Sequence, residues 1–145
     1  MIEIVPFIPS HLALVDLQPA QAEARALIAG DYAAALAEAG PAVSLAADRQ
    51  LRGCMGLAWQ WPGRAVVWAM LSDRIGPSGM VALSLRAARW LDSHDWRRIE
   101  AHVAPDHAAG HRWVSLFGFI HEARLRRYTP TGGDVDLYAL TRGGV

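Results

Sequence analysis

The sequence of 145 residues contains no lysine and no asparagine, so all 14 of its basic side chains are arginines. Without lysine the chain cannot form the Schiff base of a pyridoxal enzyme, nor supply the lysine of a nucleotide-hydrolysing phosphate loop. It also offers no lysine of its own to acylate. Frequent alanine beside this arginine-only usage points to a GC-rich coding sequence, and the exclusions hold whatever the cause. Cys54 is the single cysteine, which excludes an internal disulfide framework or a zinc ribbon and fits a reducing, cytoplasmic compartment. No signal-like segment opens the chain, and no apolar run reaches the roughly eighteen residues of a membrane span. Charge of one sign is lacking too: 14 acidic residues balance the 14 basic ones. A nucleic-acid or anionic-membrane partner would call for a basic excess, so neither is expected.

What is present reads as one globular domain over residues 1–145. Hydrophobic residues make up 52% and charged residues 19%, and at this length about 68% of the unfolded surface can be buried. A first strand is expected over Ile2–Ile8, closed by Pro9. Ser10 is placed to cap a short helix from His11, with Leu12 and Val15 inward. The Ala-rich stretch Pro19–Ala39 has high helix propensity, interrupted at Gly30 and ended by Gly40-Pro41. Alternation then predicts strands at Ala42–Ala47 and Leu51–Gln60. Trp61-Pro62-Gly63-Arg64 has the proline and glycine of a type II turn. It leads into Ala65–Leu71, apolar enough to be covered on both faces at the centre of a sheet.

After Gly79 an amphipathic helix places Met80, Leu83, Ala87 and Leu91 on one face. Strand Arg98–Val103 follows, then a helix capped by Asp106 and running to Leu116, with Gly110, Trp113, Val114 and Phe117 inward. Phe119–Tyr128 and Val135–Thr141 are the last strands, joined by a turn at 129–134. Only the Gly-Gly tail reads as disordered. The helix linking the central strand to the fifth makes those two strands parallel.

The strand at 65–71 feeds a Gly/Pro/Ser loop that opens into a helix. Unpaired N–H groups and the positive end of the helix dipole at such a start suit a phosphate, and many structural loops share the pattern. Here Gly76 and Gly79 permit close approach of the main chain, and Arg74 adds a cation. Residues 97–119, RRIEAHVAPDHAAGHRWVSLFGF, followed by HEARLRRY and DVDLYAL, resemble the C-terminal part of the Gcn5-related N-acetyltransferase (GNAT) superfamily. Val103 falls on the family's strand valine, Gly110 on its small helix residue and Gly118-Phe119 on its closing Gly-Phe. Trp-Pro-Gly-Arg, Trp-Ala and the His-Arg-Trp helix also resemble acetyltransferase-like proteins of phages and prophages.

The resemblance implies the acyl-CoA N-acyltransferase fold: an α/β chain with a mixed central sheet of six to seven strands flanked by about four helices. It implies acetyl-CoA as donor, no metal, and direct transfer to an amine on a small molecule or a protein. The thioester would lie where the fourth and fifth strands splay apart. Pantetheine would pair with the main chain of Ala69, Met70 and Leu71, one N–H of which would polarise the thioester carbonyl. The pyrophosphate would rest on Arg74, Ile75, Gly76, Ser78, Gly79 and Met80.

Three positions depart from the family pattern. Pro77 stands where the loop has its middle glycine and has no N–H to donate, although proline is accepted in a first helical turn. His107 stands at the asparagine that bonds pantetheine. Val114 stands at the tyrosine that protonates the leaving thiolate, so Tyr128, His111 or a water would have to replace it. A thiol of pKa near 8.5 leaves tolerably without full protonation. Such a loss costs roughly 10²–10⁴-fold rather than all activity.

For the proton leaving the amine, Glu100 and His102 on one face of the fifth strand are the candidate bases. Against this, the more ordinary reading makes Glu100 an arginine's ion-pair partner and His102 a satisfied, partly buried histidine. His102, His107 and His111 invite a zinc reading that no completing Glu or Cys supports. Arg124, Arg126 and Arg127 read as a solvated hairpin edge or as a contact for the coenzyme 3′-phosphate. Asp31 and Tyr32 are acceptor-side candidates, the acceptor being expected between the early helices and the 129–134 turn. The competing function is a non-catalytic protein of the same fold, a coenzyme-binding or phage assembly component. Acceptor identity and oligomeric state stay open, a homodimer included.

Overall fold

The computed structural model describes residues 1–143, so Gly144 of the expected disordered tail lies outside them. Seven strands, β1 (Ile2–Pro6), β2 (Ala42–Ala47), β3 (Gln50–Trp61), β4 (Arg64–Leu71), β5 (Arg98–Val103), β6 (Ile120–Leu125) and β7 (Val135–Thr141), form one sheet in the order β1-β2-β3-β4-β5-β7-β6. The expected central strand is the fourth of seven. The α-helices are α1 (Ser10–Leu14), α2 (Ala24–Ile28), α3 (Tyr32–Ala39), α4 (Gly76–Ser93) and α5 (Ala108–Leu116), with a 3₁₀ turn at Pro19–Gln21. The described chain thus carries one α-helix more than expected. It divides into two compact units, Met1–Ala58 with Trp68–His94, and Trp59–Val67 with Asp95–Val145.

In the first unit β1, β2 and β3 run antiparallel. The β2–β3 turn holds both Asp48 and Arg49 at positive φ, 52° and 65°, the twist that a two-residue hairpin loop requires. Under one face of this sheet lie Phe7, Leu12, Val15, Ile28, Leu36, Cys54, Trp68 and Met70, with the Phe7 and Trp68 rings edge-on at 5.3 Å. On the other face α4 comes close through glycine: a Cβ at Gly79 would stand 3.5 Å from Leu45 Cδ2 and 2.7 Å from Ile75 Cγ1. Leu71 fills the space left by Gly53, whose Cβ would sit 2.7 Å from Leu71 Cδ2. The end of β4 is therefore covered from both sides, as its unbroken apolar run requires.

Several helix boundaries differ from expectation. Ser10 lies inside α1, whose N-cap is Pro9, and makes no capping bond. The Pro19–Ala39 stretch breaks into three pieces because distant groups hold its ends. Arg25 donates to the carbonyls of Leu12 and Val15, and the Gln21 side chain reaches β4. α4 starts at Gly76 rather than near Met80, with Pro77 in its first turn, the position where a missing N–H costs nothing. Its buried stripe is Gly79, Leu83, Ala87 and Trp90.

In the second unit the β3–β4 turn carries Gly63 at φ +92°, as the type II reading requires. Its carbonyl accepts the N–H groups of Arg97 and Arg98, at 2.8 and 3.0 Å, and so fixes the start of β5. β4 and β5 are parallel through Arg64↔Arg98, Ala65↔Ile99 and Val66↔Glu100. β7 pairs antiparallel with all of β5, from Arg98↔Thr141 to Val103↔Asp136. The N-cap position of α5 is His107, not Asp106, with no side-chain capping bond, and none of the helix residues is fully buried. The expected inner stripe of Gly110, Trp113, Val114 and Phe117 is only half-covered.

Candidate active site

The first unit carries the residues expected to hold the coenzyme, His107 excepted. Ser72 donates its N–H to the Arg52 carbonyl of β3 at 2.8 Å. Because main-chain groups alternate sides along a strand, those of Ala69 and Leu71 point away from β3. They are the groups that pantetheine would use, and a carboxamide already bonds them. Gln21 Nε2 donates to the Ala69 carbonyl at 2.5 Å, and Gln21 Oε1 accepts the Leu71 N–H at 2.8 Å. The Gln18 N–H donates to the Leu71 carbonyl at 2.8 Å, and Gln18 Nε2 supports Gln21 Oε1 at 3.0 Å. Met70 faces the opposite way and is buried in the core.

Beyond β4 the chain turns on Ser72, whose hydroxyl accepts the Arg74 N–H at 3.1 Å and whose carbonyl accepts that of Ile75 at 3.2 Å. Gly76 then adopts φ +72°, with no atom within 4 Å of where a Cβ would stand. The first N–H groups of an α-helix have no partner inside it. Here Gly76 and Ser78 supply them on either side of Pro77, with Gly79 and Met80 following in the next turn; Arg74 and Ser78 are exposed, and Ile75 packs inward on Gly53 and Gly79. An open, glycine-turned helix start fits a pyrophosphate, and a strand edge that binds a carboxamide at two points fits the amides of pantetheine. Both halves of the expected cradle have suitable chemistry, one of them with a side chain in it.

The second unit carries the candidate proton carriers. Glu100 is buried and bonded by two arginines: Arg64 through Nε and Nη2 at 2.8 Å each, and Arg98 through Nε at 2.6 Å. Arg98 in turn bonds Glu122. The Arg64 hydrogen bonds are the main reason that the Glu100 carboxyl lies at about 2, with burial opposing them and Arg98 assisting. A carboxylate held so acidic is a poor proton acceptor, and the ion-pair reading of Glu100 describes its surroundings. His102 shares that face of β5 and is half-buried; burial lowers its pKa below 6.5, opposed by the Glu100 charge. Its ring lies 5.2 Å from that of Tyr128, whose side chain is otherwise 55% exposed. Burial thus favours the neutral form of His102, with a phenol beside it.

The other histidines fall differently. His107 is half-buried at the start of α5 and its pKa is lowered by burial. His111 uses both ring nitrogens. Nε2 donates to the Pro105 carbonyl at 3.0 Å, which leaves Nδ1 to accept the Tyr138 hydroxyl at 2.7 Å. It is neither a metal ligand nor a spare acid. Arg124 is not a free cation, since it bonds Asp136 at 3.1 and 3.2 Å. Asp31 stands exposed at the N-cap position of α3 without a capping bond, and Tyr32 packs against the first unit's core.

Sequence reasoning missed Gln21 and Arg64. The parallel register of β4 with β5 puts Arg64 beside Glu100, so recognising the crossover could have found it. No local signal marks Gln21.

No family model and no curated protein matches this sequence. Solved structures do. The ribosomal-protein-S18-alanine N-acetyltransferase of Escherichia coli superposes with a TM-score of 0.74 at 16% identity, over 99% of this chain and 97% of that one. A GNAT-family acetyltransferase from Streptococcus pneumoniae gives 0.66 at 15% identity, over 99% and 100%. A GCN5-related N-acetyltransferase from Brucella melitensis gives 0.67 at 14% identity, over 97% and 75%. At these identities the likeness establishes the fold: the chain has the GNAT acyl-CoA N-acyltransferase architecture, a mixed seven-stranded sheet with helices.

Proposed function

We propose that this protein is an acetyl-CoA-dependent N-acyltransferase that transfers an acetyl group directly to an amine. The observation that carries this reading is the end of β4. A strand edge with two-point affinity for an amide runs straight into a helix start opened by Gly76, in a chain of acyltransferase fold. Acetyl-CoA supplies the activated thioester. Ala69 and Leu71 bind its amide chain, while Arg74, Gly76, Ser78, Gly79 and Met80 receive the pyrophosphate. His107 adds a contact to the pantetheine arm, as the asparagine at that position does in the family that the sequence resembles. His102 takes the proton that the attacking amine gives up, and Tyr128 returns one to the departing thiolate. Glu100 keeps Arg64 and Arg98 in place and holds negative charge near His102, sustaining its basicity.

The second reading is a coenzyme-binding protein or a phage assembly component without turnover. Val114, which has no hydroxyl to donate at the family's acid position, favours it. A thermal-shift titration followed by a thiol-release assay separates the two. At a hundredfold excess over its Kd, acetyl-CoA should add about 2.7 kcal/mol, or about 10 °C in Tm. No shift at millimolar acetyl-CoA rejects both donor binding and the enzyme. A shift without thiol release across a broad amine panel rejects the enzyme and leaves the binding protein.

A further inference from the structure

We infer that the Gln21 carboxamide is a resident competitor for the coenzyme, and that acetyl-CoA binds only by displacing it from β4. The inference rests on the acetyl-CoA reading and adds to it a residue that sets the affinity. Gln21 closes a ring with the strand, giving a hydrogen to Ala69 and accepting one from Leu71, the pattern a neighbouring strand or a ligand amide would make. A pantetheine amide offers the same donor and acceptor, so the two cannot occupy these groups together.

The turn that presents Gln21 is tied at both sides. Gln18 bonds the Leu71 carbonyl through its own N–H, and Arg25 holds the carbonyls of Leu12 and Val15. The backbone of Pro19–Gln21 can therefore stay in place while the Gln21 side chain alone changes rotamer. Displacement uncovers the Ala69 carbonyl and the Leu71 N–H, and leaves the Leu71 carbonyl with Gln18. The segment acts as a latch with one moving part.

Calorimetric titration of acetyl-CoA into the wild-type protein and into Gln21→Ala tests this. A net hydrogen bond is worth roughly 2- to 12-fold in an equilibrium, so removing both competing bonds should tighten binding by at least about fivefold. Gln21→Asn, one methylene short of spanning both groups, should shift affinity the same way and guards against a folding defect in the alanine variant. Hydrogen exchange should show the Leu71 amide protected in free wild type, exposed in free Gln21→Ala and protected again with acetyl-CoA. If wild type binds and both variants bind equally or more weakly, the latch is overturned and the coenzyme reading stands. If no form binds acetyl-CoA, the coenzyme reading itself fails and the latch falls with it.

Discussion

Arg64 closes on Glu100 with one edge of its guanidinium, Nε and Nη2 each 2.8 Å from a different carboxylate oxygen. The pair joins adjacent parallel strands in which Arg64 stands opposite Arg98 and Val66 opposite Glu100. Its second role is to put a positive group within electrostatic reach of His102, where it opposes the Glu100 charge.

Glu100→Gln should therefore cost stability before it costs chemistry. It leaves two arginines without their shared anion, and a loss of about 2–3 kcal/mol is expected at pH 7, discounted for the partly exposed guanidinium groups. At this size that is roughly 5–10 °C in Tm. The folded pKa of about 2 lies below the ordinary 4.5. The contribution is thus complete above the unfolded value and is lost as pH falls toward the folded one. Melting curves of wild type and variant should differ most at neutral pH and converge near pH 2.

His102→Ala should lower kcat by about 10²-fold or more while leaving the acetyl-CoA thermal shift unchanged. The wild-type rate should show an acidic limb with its midpoint below 6.5, since burial lowers the pKa of His102. Glu100→Gln should move that limb further down by removing the charge that raises it. Tyr128→Phe should slow thiol release with little change in stability, because the ring is mostly in solvent. An acidic limb that persists in His102→Ala would remove this histidine from the base role.

Gly76→Ala should destabilise by about 1 kcal/mol through the backbone alone, because φ is +72° and space at the Cβ is open. Gly79→Ala has a helical backbone and meets Ile75 Cγ1 at 2.7 Å, so its cost is steric and moves the loop before α4. Paired melting and calorimetry should find weaker acetyl-CoA binding in both.

The elements legible from sequence were those written in local pattern. Ala42–Ala47 and Val135–Thr141 are short apolar-rich runs bounded by turn residues, and they match β2 and β7 residue for residue. The Pro62-Gly63 turn and the central place of β4 follow from residue types that suit only such positions. What stayed hidden depends on distant partners. Gln21 meets β4 across 48 and 50 positions, and Arg64 meets Glu100 across 36. Polar Gln and Arg side chains carry no period that would disclose such contacts. The two misplaced caps have a related cause: Ser10 and Asp106 are capable capping residues, yet the chain turns into helix one residue away from each. The family resemblance pointed to the loop before α4 and to the fifth strand, and could not reveal which groups there already had partners.

Cys54 lies fully buried beside Ser44, and burial pushes its thiol up to about 11. It is the sole sulfhydryl in the sequence. A chromogenic disulfide reagent added to the folded protein will consequently find no reactive group of the polypeptide's own, because the thiolate is the reacting form. Colour that develops in an assay on the folded protein therefore follows CoA released from the thioester, and it can be read continuously.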